Sequence, residues 1–296
     1  MQFGRLLTAM VTPFDNKGNI DFGKTDQLIN HLLLNGTEGI VITGTTGESP
    51  TLSNEEKLSF IRYVVQYVNG RIPVIAGTGS NNTRASITLT KQAETIGVDG
   101  VMLVTPYYNK PSQEGMFQHF SAIAKETTLP IMLYNIPGRS VVDMTTDIIV
   151  RLANDFDNIV AIKEASGDLD AMTAIIHDTD DSFQLYSGDD SLTLPILSIG
   201  GTGVISASSH IIGREMQDMI TSHINGHPAQ AAAIHQQILP VMKALFMAPN
   251  PTAIKEALAM IGLNVGSVRL PLIALSEEQR EELAKAIACS KKAQVS

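Results

Sequence analysis

Lys163 offers the most reactive chemistry in this chain. It closes the apolar run Ile159–Lys163, IVAIK. A buried ammonium is costly, so a lysine in an apolar interior is favoured as the neutral amine. The neutral amine that results attacks carbonyl carbons and forms Schiff bases. If Ile159, Ala161 and Lys163 share one strand face, the amine points inward above a small neighbour. The competing reading is a lysine that snorkels from the strand end or pairs with Glu164. Tyr134 weighs against it. It ends the preceding run, Pro130–Tyr134, and its phenol can carry protons while a carbinolamine forms and collapses; simple packing is the commoner fate of a lone tyrosine. Thr45 and Thr46 occupy a Gly-bounded turn, Gly44-Thr45-Thr46-Gly47. Their hydroxyls and backbone N–H groups suit a carboxylate, or serve only the turn. Arg139 follows Pro137-Gly138 and carries a bidentate fork for a second carboxylate, or is a solvated surface charge.

Other signals carry less. Gly77-Thr78-Gly79 and Gly200-Gly201-Thr202-Gly203 look like phosphate loops, but neither completes GxGxxG or precedes GK[ST]. His223 and His227 have helical spacing, yet Gly226 and Pro228 break that helix and no third ligand lies nearby, so no metal site is expected. No pair of strand-end carboxylates suits glycoside hydrolysis.

The elements that must position these residues repeat along the chain. Eight short runs rich in Val, Ile and Leu begin near residues 6, 39, 72, 101, 130, 159, 183 and 203, about 28 residues apart. Near-continuous apolarity marks parallel strands buried on both faces. Amphipathic segments lie between them: Asp21–Asn35, Ser53–Val68, Thr83–Ile96 and Gln113–Thr127. Ser53-Asn54-Glu55-Glu56 reads as a capping box. Gly36 and Gly97 stand where a left-handed helix cap is needed, each just before a strand. Eight strands in strict alternation with helices predict an α/β protein, a (β/α)8 TIM barrel, with its active site at the C-terminal strand ends. After residue 206 only helical patterns follow: Ile212–Ile224, Ala229–Phe246, Thr252–Ile261 and Ser276–Ala288. The expected organisation is a catalytic barrel over 1–225 and a C-terminal helical extension over 226–296.

Lys plus Arg is 21 against 30 Asp plus Glu, a net charge of −9. An acidic chain without a basic run is a poor partner for nucleic acid or an anionic membrane. The single cysteine, Cys289, forms no intramolecular disulfide and reads as incidental. The N-terminus lacks signal-peptide features, and no apolar run reaches the 18 or so residues that span a bilayer. These features predict a cytoplasmic protein.

Five motifs together are more specific: GTTGE at 44–48, PYYNKP at 106–111, YNIPGR at 134–139, IKEASGD at 162–168 and YSGDD at 186–190. The chain resembles, over essentially its whole length, the dihydrodipicolinate synthase family of pyruvate-dependent class I aldolases, a group that also contains N-acetylneuraminate lyase. The resemblance implies that Lys163 forms a Schiff base with pyruvate and that Tyr134 donates and accepts the proton. Thr45 and Tyr108 complete a proton relay, with the tyrosine supplied by a neighbouring subunit. Thr46 and the Ile205 backbone hold the pyruvate, Gly188 lies beside it, and Arg139 receives the carboxylate of aspartate 4-semialdehyde. The product would feed diaminopimelate and lysine synthesis, with no metal or organic cofactor.

A homo-oligomer, at least a tight dimer, is implied, and the family default is a tetramer. Asp168 and Asp170 put like charges near the region used for the weaker interface. Many family members are inhibited by lysine. Ser49, Asn81 and Tyr107 match the sensitive pattern, whereas Pro50, Asn54, Lys57 and Ala85 depart from it, so the expectation is insensitivity. Two rival readings are a sugar-acid lyase, against which Arg139 argues, and a non-catalytic barrel that binds a phosphorylated ligand at Gly200–Gly203.

Overall fold

Each of the eight apolar runs forms a strand, and the register shows why the runs are apolar throughout. The structure, a computed structural model, describes residues 3–292. The strands are β1 (Leu6–Ala9), β2 (Gly39–Ile42), β3 (Val74–Gly77), β4 (Gly100–Val104), β5 (Ile131–Asn135), β6 (Ile159–Glu164), β7 (Gln184–Ser187) and β8 (Gly203–Ser206). They pair in parallel in chain order and close through β1 and β8. This is a (β/α)8 TIM barrel.

Alternation of side chains divides the buried residues into two cores. Leu7, Ala9, Val41, Ile75, Met102, Met132, Tyr134, Ala161, Tyr186 and Ile205 fill the barrel interior. Leu6, Ile40, Ile42, Ile131, Leu133 and Ile162 point outward into the layer beneath the helices. Both faces are therefore largely apolar, and most polar strand residues, among them Asn135, Lys163, Glu164, Ser187 and Ser206, cluster toward the C-terminal strand ends.

β6 departs from simple alternation. Ile131 pairs with Ile159, but Met132 pairs with Ala161, so Val160 is an extra residue. Ile159 belongs to the outer core while Ala161 belongs to the inner one. The expectation that Ile159 shares a face with Ala161 and Lys163 is thus corrected by a β-bulge. Beyond the bulge, alternation resumes and Lys163 faces in.

The helices begin where side chains satisfy their first N–H groups. Asp21, Asn82, Ser112 and Asp168 each accept a backbone N–H at a helix start. Ser53 and Glu56 form the predicted capping box on the helix Asn54–Val68. Gly36 and Gly97 have φ of +88° and +95°, the left-handed conformation expected of them. Helices at Thr146–Asp155, Leu169–Asp178 and Thr193–Ser198 complete the barrel.

The helix Ser209–Ile224 precedes a turn at Gly226, and Pro228–Leu245, Thr252–Met260 and Glu277–Lys292 follow. Ile238, Val241, Leu245, Ile254 and Leu258 of these later helices join the same outer core as the barrel. The 225/226 boundary therefore falls in a turn over which one core is continuous. The side chain of Cys289 lies outside the described residues. Among the described residues, no helix is long and apolar enough to cross a membrane.

Candidate active site

β5 and β6 bring Lys163 and Tyr134 together because they pair in register, Tyr134 opposite Lys163. Both side chains are buried, at 6% and 3% exposure. Lys163 Nζ lies 4.3 Å from the centre of the Tyr134 ring. The two rival readings of this lysine lose their footing here: burial leaves little room for snorkelling, and Glu164 has other partners. Its carboxylate accepts from Asn135 Nδ2 (2.9 Å) and the Ser166 N–H (2.7 Å), on the opposite strand face. Burial pushes the Glu164 carboxyl up from its ordinary range. Gly188 donates its N–H to the Glu164 carbonyl at 2.7 Å. A Cβ there would sit 2.6 Å from Ala165 Cβ and 3.2 Å from Lys163 Cε. The missing side chain lets the loop after β7 close against the lysine.

The GTTGE turn follows β2 and is held under strain. Thr43 has φ +53° and Glu48 has φ +56°, left-handed values that non-glycine residues adopt only when their surroundings insist. Thr43 Oγ1 donates to the carbonyls of Ile42 (2.7 Å) and Gly77 (3.0 Å). Glu48 is fully buried and lies 2.6 Å from Lys255 Nζ. Its other oxygen accepts the Arg269 N–H at 2.8 Å. Lys255 Nζ also donates to the Ser267 carbonyl (3.0 Å) and stands 4.0 Å from the Phe14 ring centre. Desolvation depresses Lys255 to about 8, although Glu48 opposes the shift. Arg269 binds Glu56 and the Thr51 carbonyl (2.7 Å). Thr46 is buried, and its Oγ1 accepts from Asn250 Nδ2 at 2.9 Å.

Two cavities open at this end of the barrel. One, of about 270 Å³, is lined by Thr45, Met102, Val104, Tyr107, Tyr134 and Arg139, among others. A second, of about 400 Å³, is bounded by Arg139, Ala165, Gly188, Asp189, Lys243 and Phe246, among others. Arg139 belongs to both, on the one-turn helix Pro137–Ser140. Thr45, Tyr134 and Arg139 thus face the first space, and the buried Lys163 amine lies against the Tyr134 ring that lines it.

A model of the Dihydrodipicolinate synthetase family matches residues 2–290. The chain belongs to this family. It is 63% identical to the 4-hydroxy-tetrahydrodipicolinate synthase of Bacillus subtilis (strain 168) over 287 residues, covering 97% of this chain and 99% of that one. A crystal structure of dihydrodipicolinate synthase from Bacillus anthracis superposes with a TM-score of 0.96 at 58% identity, covering 97% of this chain and 98% of the other. A lysine-bound structure of the Cyanidioschyzon merolae protein superposes with a TM-score of 0.96 at 45% identity, covering 98% of each chain.

Lys163, Tyr134, Thr45, Thr46, Arg139, Gly188 and Ile205 all lie in the C-terminal half of a strand or in the segment that follows one. Tyr108 is set apart. It is 89% exposed with φ +73°, and Tyr107 rather than Tyr108 lines this chain's own cavity. Gly201 and Gly203 are explained by packing at the other end: Cβ atoms there would meet Ile196 Cγ2 at 2.3 Å and the Arg5 carbonyl at 2.0 Å. The phosphate-loop reading of these glycines loses its basis. Among the described residues, no group of three or more His, Cys, Asp or Glu could hold a metal ion. Asn250, Lys255 and Arg269 were missed in the sequence. They lie more than 200 residues from the turn they hold, and no local pattern links them to it.

Proposed function

We propose that this chain is a Schiff-base lyase that condenses pyruvate with L-aspartate 4-semialdehyde to 4-hydroxy-tetrahydrodipicolinate, the first committed step of diaminopimelate and lysine synthesis. The observation that carries this reading is the buried Lys163 amine, 4.3 Å from the Tyr134 ring centre. Lys163 attacks the ketone of pyruvate, and water leaves as the imine forms. Tyr134 moves the protons of that step, helped by Thr45 and by Tyr108 from a second subunit. Thr46 and the Ile205 backbone hold the pyruvate carboxylate, with Gly188 alongside. Loss of a methyl proton gives the enamine, which attacks the aldehyde carbon while Arg139 holds the second substrate's carboxylate. The new adduct's amine then closes on the imine carbon, and Lys163 leaves as the free amine. No metal or organic cofactor enters this scheme.

The exposure of Tyr108 supports a homo-oligomer of at least a tight dimer, since an aromatic ring left in water is suited to an interface. The proposed setting is the cytoplasm. The deciding experiment is borohydride reduction in the presence of pyruvate, followed by mass spectrometry of the Lys163 peptide. A reduced pyruvate adduct is expected there, and its absence would overturn the Schiff-base reading.

A further inference from the structure

Asn250 belongs to the segment leading into the helix Thr252–Met260, far from the barrel strands in sequence, yet its amide reaches Thr46. Nδ2 donates to Thr46 Oγ1 at 2.9 Å, across 204 residues. A threonine hydroxyl has one proton and two lone pairs. Accepting from Asn250 commits a lone pair and leaves the O–H free to donate. Asn250 Oδ1 is buried with no partner. The reversed amide would bury a partnerless NH2 instead, and orphan buried N–H groups are rarer than orphan carbonyls. The donor orientation is therefore the favoured one.

The same stretch grips the turn twice. Asn250 holds Thr46, and Lys255 holds Glu48 at 2.6 Å. Two residues of the turn are thereby referenced to two points on one short segment of the C-terminal extension. We propose that Asn250 is a positioning residue for the carboxylate site, which polarises Thr46 so that its hydroxyl donates to the pyruvate carboxylate, with the Lys255–Glu48 pair fixing the segment in place. This rests on the reading of Thr46 as a pyruvate ligand.

Asn250→Asp is nearly isosteric but can only accept when ionised, so Thr46 would turn its proton toward residue 250. The expected result is a pyruvate KM raised about tenfold or more, the usual weight of a hydrogen bond to a charged group. The aspartate-semialdehyde KM and the melting temperature should stay near their original values, and kcat should change less than the pyruvate KM. Thr46→Val closes the cycle. In that background, Asn250→Asp should change the pyruvate KM less than twofold, because its effect acts through the hydroxyl. Equal effects in both backgrounds would overturn the inference and assign the change to the added charge. An unaltered KM in Asn250→Asp, with Thr46→Val impaired, would overturn it too. If Thr46→Val leaves the pyruvate KM unchanged while borohydride still traps Lys163, the Thr46 assignment and this inference both fail and the Schiff-base reading stands. Absence of any trapped adduct overturns all three.

Discussion

Lys163 performs its proposed step only as an amine, so the change that most cleanly tests it keeps length and charge while removing that chemistry. Lys163→Arg should keep the fold, as read by circular dichroism, and nearly abolish turnover, because a guanidinium stays charged and forms no imine. Normal turnover would remove Lys163 from the mechanism. Tyr134→Phe keeps the ring beside Nζ and deletes only the hydroxyl. Turnover should fall roughly 10²- to 10⁴-fold, the usual worth of a positioned acid–base group, and a loss below threefold would contradict the role. Both residues were legible in the sequence because each ends an apolar run, and strand ends are where a barrel puts its chemistry. Asn250 was not legible, because its meaning depends on a contact across 204 residues.

At the scale of elements, the C-terminal extension acts as a clamp on the strained turn after β2. Glu48 and Lys255 are 1% and 2% exposed at their side chains. Removing one partner leaves the other charge uncompensated, a loss of about 3–5 kcal/mol. Lys255→Met should therefore lower stability by that order in urea unfolding. Adding Glu48→Gln to it should cost less than the sum of the two single changes, since the second removes a charge already stranded. A single-variant loss below about 1 kcal/mol would show that the pair is not holding the turn. Periodicity and capping chemistry are local properties, so the helices Thr83–Ile96 and Asn54–Val68 could be read from sequence almost to the residue. The bulge at Val160 could not, because a bulge exists only relative to the partner strand.

For the whole molecule, acid should weaken the fold through its buried histidines. His210 donates Nδ1–H to the Ala207 carbonyl (2.8 Å), and its Nε2 accepts the Val11 N–H (3.2 Å). Burial depresses it to about 4, and His119 likewise to about 4. In the unfolded chain each titrates near 6.5. The unfolded state then binds more protons between pH 6.5 and 4, so their contribution is complete above 6.5 and declines as pH falls through that window. Urea midpoints should drop over this range, and more steeply in the original protein than in His210→Asn. Equal slopes would exclude His210 as a source of acid lability. A second expectation at this scale concerns lysine. Lys57 lines the same cavity as Ser49, Pro50 and Tyr107, and burial lowers its pKa. Ala85 supplies no carboxylate for an incoming ammonium. The enzyme is expected to be insensitive to lysine, and strong inhibition at submillimolar concentration in a steady-state titration would overturn this.

Sequence alone determined the eight strands, the barrel, the strand-end positions of Lys163 and Tyr134, and the family, because these rest on periodicity, strand ends and contiguous motifs. Each is a property of residues close together along the chain. The tertiary structure decided the rest. It set the inward face of Lys163 through a bulge that shifts register by one residue. It gave a reason for glycine at 188, where an added Cβ would sit 2.6 Å from Ala165 Cβ and 3.2 Å from Lys163 Cε. It also turned a helical tail into part of the site, by carrying Asn250, Lys255 and Arg269 onto the turn after β2. Those contacts join residues some 200 positions apart, and only closure of the barrel and packing of the extension over it bring them within hydrogen-bonding distance.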